Sequence, residues 1–108
     1  MIRKDLHQWQ WSDYFSKHRN KVNLVIHIFA VPLFWAGTFK LATGMWSVGI
    51  GLIVIAIVLQ GLGHKSEKEI PTPFDGPLDF VSRFLMEQFV TFPRFLFSGE
   101  WLRSLKDQ

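Results

Sequence analysis

Gln60-Gly-Leu-Gly-His64-Lys-Ser-Glu67-Lys-Glu69-Ile-Pro71-Thr-Pro73 closes a long apolar run with a histidine, a knot of charges and two prolines. Immediately upstream, residues 45–62 hold no charged side chain, and a run of that length is about what a helix needs to cross a bilayer core. A second run, residues 24–42, is interrupted only by His27, Pro32, Thr38 and Lys40. Between the two, Thr43-Gly44 leaves room for nothing but a tight turn, so the runs are antiparallel neighbours. The polar residues preceding the first run, Tyr14, His18, Asn20 and Asn23, with His27 just inside it, therefore meet those closing the second.

Composition agrees with lipid as part of the solvent. In a chain of 108 residues, 48% are hydrophobic, with 11 Phe and 5 Trp against one Tyr, more than a small soluble core hides when it buries only about 60 to 70% of its unfolded surface. There is no cysteine, which removes disulfides, thiolate metal sites and a cysteine nucleophile. The net charge of +3 is spread among Phe and Leu instead of forming a basic stripe, so nucleic acid is not an expected partner and anionic membrane lipid is. The N-terminal residues lack the apolar core of a cleaved signal peptide, leaving membrane entry to the internal runs.

The expected fold is an all-α membrane protein, a single integral membrane domain over residues 1–108 with spans at about 24–42 and 45–62. Residues 5–19 read as an interfacial N-terminal helix on which His7, Trp11, Tyr14 and His18 share a face. Pro32 is expected to kink the first span, and Ser47 with Gly51 offers a close-packing seam for self-association. After the turn-rich residues 71–77, a C-terminal amphipathic helix is expected over about 78–104, kinked or restarted at Pro93. Its Phe and Leu repeat every three or four residues while Asp79, Arg83, Glu87 and Arg94 interleave, the pattern of a helix lying in the interface with its charged face toward water. Only Lys40 among the twelve Lys and Arg lies near the hairpin tip, whereas Lys17, Arg19, Lys21, Lys65 and Lys68 crowd the open end. Both termini of this multi-pass protein are thus expected in the cytoplasm.

The chemistry concentrates at the open end. Asn20, Asn23 and His27 share one helix face, as do Gln60, His64 and Glu67 on the second run. His27 and Gln60 lie about one turn inside the membrane boundary, where polar side chains need each other or an ion. Three imidazoles with one carboxylate suit iron, zinc, copper, nickel or cobalt, not calcium or magnesium. Both non-haem Fe(II) oxygen chemistry and a zinc hydrolase remain open at this point. On an unbroken helix, nine residues would set His18 and His27 on opposite faces. Either the helix breaks between His18 and Asn23, or His18 serves elsewhere.

The order Tyr14, His18, Asn20, Asn23, His27 and Pro32, followed by Gln60-x-x-Gly63-His64, Glu67 and Pro71, resembles the family of the yeast endoplasmic-reticulum 2-hydroxy fatty acid dioxygenase, which serves fatty-acid alpha-oxidation in phytosphingosine breakdown. The resemblance implies ferrous iron, Fe(2+), held by His18, His27 and His64, with His64 and Glu67 catalytic. It places Tyr14, Asn20, Asn23 and Gln60 around the metal or the substrate. The implied reaction takes a long-chain 2-hydroxy fatty acid and O2 to the acid one carbon shorter, CO2 and water. An acyl chain would lie between the hairpin and the Phe-rich third helix, and a second copy of the chain, as a homo-oligomer, would complete the enclosure. The alternative from a different class is a non-catalytic membrane protein whose His and Asn residues bind a lipid head group or a partner helix.

Overall fold

In a computed structural model the described residues are 4–69 and 72–107; Pro71, quoted above, lies outside them. The helices are α1 (Leu6–Lys17), α2 (Lys21–Ala42), α3 (Trp46–Lys65), α4 (Pro77–Met86), a π-helical turn (Glu87–Thr91), α5 (Phe92–Phe97) and α6 (Glu100–Lys106). No strand occurs among the described residues. Two of the helices, α2 with 22 residues and α3 with 20, are long and apolar enough to cross a membrane.

Between α2 and α3 the chain reverses through a glycine cap. Gly44 has φ 87°, a conformation that costs glycine little. The Met45 N–H donates to Lys40 O at 2.8 Å and the Gly44 N–H to Leu41 O at 3.1 Å, the paired bonds that stop a helix at a left-handed residue. The two helices then pack along each other through glycine. A Cβ on Gly49 would stand 2.8 Å from Gly37 O and 2.9 Å from Leu41 N, and one on Gly37 would stand 2.9 Å from Gly49 O. Closer to the open end, a Cβ on Gly63 would collide with Asn23 Oδ1. Gly49→Ala is accordingly expected to force backbone apart and cost about 1–3 kcal/mol, read as a lower unfolding temperature in detergent. Gly51, by contrast, meets no atom within 4 Å, so the small residue expected to form a seam faces outward. Helix α2 continues through Pro32 without interruption.

The helix does break between His18 and Asn23. Lys17 ends α1, and His18 follows at φ −133°, ψ 60°. Asn20 is extended, at φ −74° and ψ 135°, and its side chain caps α2 by accepting from the Val22 N–H at 2.8 Å. This turn removes the opposed-face geometry of a continuous helix.

The C-terminal segment differs from the expected amphipathic helix in two respects. It is interrupted by the π turn and again at Gly99, whose φ is 89°, while Pro93 sits in the first turn of α5. Its polarity is also inverted. Asp79, Arg83 and Glu87 are 0%, 7% and 9% exposed, whereas Leu78, Val81, Leu85 and Phe89 are 63%, 50%, 43% and 48% exposed. The charged stripe faces inward because it has inward partners. Arg83 donates to Thr72 O, Pro73 O and Asp79 and stacks on Phe74 and Trp9, tying the connector to α4 and α1. The π turn brings Glu87, Gln88 and Thr91 inward together, and Trp35 of α2 donates its indole N–H to Gln88 O at 2.7 Å.

Candidate metal centre

Four side chains from four elements converge at the open end of the hairpin. They are His18 from the end of α1, His27 from α2, His64 from the last turn of α3 and Glu87 from the π turn, with potential ligand atoms all within 4.8 Å of one another. The imidazole centroids are 4.8 Å apart for His18 and His27, 4.7 Å for His18 and His64, and 5.3 Å for His27 and His64. Two ligands at about 2.1 Å from one ion stand up to about 4.2 Å apart, so closure around a metal asks for sub-ångström movement.

The hydrogen bonds around the rings fix which nitrogens face the centre. His18 Nδ1 lies 3.0 Å from Tyr14 O and His27 Nδ1 lies 3.0 Å from Asn23 O. A carbonyl only accepts, so each Nδ1 carries the proton and donates it. Both Nε2 atoms then point lone pairs at Glu87 Oε2, each from 3.1 Å. That same oxygen accepts the Tyr14 hydroxyl proton at 2.7 Å. Lone pairs converging on a buried carboxylate repel unless a cation or a proton lies among them. His27 Nε2 and His64 Nδ1 are in addition buried without a hydrogen-bond partner. The donor set, three imidazoles, two of them oriented through Nδ1, and one carboxylate, therefore fits a transition-metal ion.

Electrostatics outside the spans point the same way. Burial pushes the His18 imidazole below its ordinary pKa against the pull of Glu87, keeping it neutral and able to ligate. The Tyr14 hydroxyl is pushed well above its ordinary value, first by burial and then by Glu87, so it stays a donor. Aromatic walls complete the enclosure. Tyr14 stacks on His18 at 3.6 Å, Phe92 lies 5.7 Å from His27, and Phe95 packs 5.0 Å from Tyr14.

Of the residues singled out in the sequence, Tyr14, His18, His27 and His64 meet here. The carboxylate beside the imidazoles is Glu87, not Glu67. Glu67 instead accepts from the Arg19 and Asn20 backbone N–H groups at 2.9 to 3.0 Å and from Asn23 Nδ2 at 2.7 Å. A carboxylate there satisfies the free N–H groups of the break and the positive end of α2, which places Glu67 in the scaffold. Glu67→Gln is expected to retain metal, to cost about 1–2 kcal/mol of stability, and to slow turnover less than loss of an imidazole does. Metal per chain and an unfolding curve check it.

Asn20 caps α2, Asn23 also donates to Lys17 O at 3.2 Å, and Gln60 pairs reciprocally with Gln88 at 2.9 Å in both directions. His7 sits apart from the cluster, 3.2 Å from Arg94. A cavity of about 620 Å³ opens beside the centre; Tyr14, His18, His64 and Glu87 line it together with Lys17, Gln60, Lys65 and several aromatic rings.

An all-helical fold with two membrane-length helices and a buried three-histidine, one-carboxylate cluster defines the class to which such a chain belongs: small helical proteins with a metal-competent centre at the end of an apolar hairpin. The profile of the Mpo1-like family, described as 2-hydroxy-palmitic acid dioxygenase Mpo1-like, matches residues 5–95, and the chain belongs to that family. The match takes in all four cluster residues and stops before α6. No curated protein and no solved structure matches the chain.

Proposed function

We propose that this protein is an Fe(II)-dependent dioxygenase that converts a long-chain 2-hydroxy fatty acid into the acid one carbon shorter. The observation that carries the reading is the convergence of the His18 and His27 lone pairs on the buried Glu87 carboxylate beside His64. The family description, a 2-hydroxy-palmitic acid dioxygenase, supplies the substrate class. The overall reaction, R–CH(OH)–COOH + O2 → R–COOH + CO2 + H2O, balances without a further reductant.

His18, His27, His64 and Glu87 would hold the iron, which supplies the chemistry with O2 that organic side chains lack. The backbone carbonyls of Tyr14 and Asn23 hold the imidazole protons on Nδ1 and keep Nε2 free. Tyr14 donates to Glu87 and fixes the carboxylate's orientation. Lys65 on the cavity wall attracts a carboxylate head group, while Phe92 and Phe95 keep water from the inner side of the rings.

In this reading α2 and α3 form a multi-pass hairpin in the membrane with both termini in the cytoplasm, and a substrate already dissolved in lipid reaches the centre from the bilayer. The outward Leu78, Val81, Leu85 and Phe89 fit a segment that is itself immersed in lipid. The outward Ser47 and Gly51 leave a face for a second copy. The test is product analysis: protein loaded anaerobically with Fe(II), given 2-hydroxypalmitate and then O2, should release pentadecanoate and CO2 in equal amounts. Absence of both products from iron-loaded protein would favour a protein that binds lipid head groups without turnover.

A further inference from the structure

The cavity beside the metal centre has two walls of matching pattern. On α3, Ile57, Gly61 and His64 line it at spacings of four and three residues; on α4 and the π turn, Phe80, Phe84 and Glu87 line it at the same spacings. Each wall therefore runs from a polar residue at the centre to an apolar residue about seven residues away, roughly 10 Å of helix. The far end is open to the outside of the hairpin, since Ile57 is 37% exposed. The aromatic wall is braced: Phe84 packs 5.2 Å from Phe34 of α2 behind it, and Phe80 packs 4.8 Å from Phe74, which lines the cavity as well. The α3 wall has a gap in its middle. Gly61 has no heavy atom within 4 Å of the place where a Cβ would stand, although its helix neighbours Ile57 and His64 both reach the cavity.

We propose that the slot between α3 and α4 is the path of the substrate's acyl chain, and that Gly61 determines chain specificity by keeping it open. The occupant is a single-chain carboxylic acid: Lys65 lines the cavity on its polar side and complements a carboxylate, while Ile57, Phe80 and Phe84 match methylenes. The chain passes Gly61 within about one helical turn of His64 and leaves past Ile57 into lipid. This identification of the occupant rests on the dioxygenase reading; the slot itself rests on the matched walls and the gap. Gly61 is not held to glycine by packing, because a larger side chain meets open space. Its smallness acts on what passes through.

The experiment uses the full chain in detergent and a 2-hydroxy fatty acid carrying a mid-chain diazirine, with adducts located by mass spectrometry. Label is expected on α3 and α4 residues that line the slot. Gly61→Leu should cut labelling there and lower kcat/KM for 2-hydroxypalmitate about 10-fold or more, the effect of overfilling a packed space, with metal per chain unchanged. Ile55→Phe, on the outward face of α3 where Ile55 is 50% exposed, should leave labelling, metal and rate as they are. Unchanged labelling and unchanged kcat/KM in metal-bearing Gly61→Leu would overturn the proposal, as would label in the wild-type protein confined to the outer faces of α2 and α3. Slot labelling that Gly61→Leu removes, in a wild-type protein that turns nothing over, would support the slot and remove the dioxygenase reading.

Discussion

Glu87→Gln is expected to abolish metal binding and turnover while leaving the metal-free protein folded, and more heat-stable than the wild type. The substitution keeps the side chain's shape and removes its charge. In the metal-free protein, Glu87 Oε2 sits 3.1 Å from the lone pairs of both His18 and His27, an acceptor facing acceptors. A glutamine amide with its nitrogen at that position shares two N–H donors among the imidazole nitrogens and the Tyr14 oxygen, which turns from donor to acceptor, so the repulsion becomes hydrogen bonding. A metal loses its anionic ligand at the same stroke. Turnover should fall beyond the roughly 100-fold that marks the loss of an outer-shell partner. Metal analysis and an unfolding scan of the metal-free protein read both effects. A variant that keeps its metal, or that unfolds at a lower temperature than metal-free wild type, would place the carboxylate outside the centre.

His64→Ala is expected to lose turnover of a long-chain 2-hydroxy acid to a similar extent, by a different route. His18, His27 and Glu87 remain, so metal binding weakens without vanishing, and the vacated position borders the 620 Å³ cavity. Added imidazole can reach that position and should restore part of the rate. Wild-type rates in His64→Ala with metal bound would mean that the reaction occurs elsewhere.

Much of this arrangement was legible from the residues. The uncharged run at 45–62 and the run at 24–42 correspond to α3 and α2, because apolar length and a glycine turn leave few alternatives. The break after His18 followed from the demand that His18 and His27 share a site although nine residues separate them. Glu87 was not legible as a member of the cluster. Asp79, Arg83 and Glu87 recur every four residues among Phe and Leu, and such a stripe was read as turned toward water. Where lipid surrounds a helix, the same periodicity places the charges inside, and charges that costly to bury are themselves a sign of a site. Neither could the sequence tell that Glu87 opens a π turn, a local widening that recurs at functional sites. Glu67 drew attention by following His64 by three residues, yet α3 ends at Lys65, and past that end the shared face no longer holds.

His18, His27, His64 and Glu87 are expected to hold a single iron ion. Elemental analysis of protein purified without added metal and then reconstituted anaerobically with Fe(II) tests it most directly. Close to one iron per chain is expected, lost in Glu87→Gln and retained in Glu67→Gln. Reconstituted protein without stoichiometric iron, or iron retained equally in both variants, would contradict it.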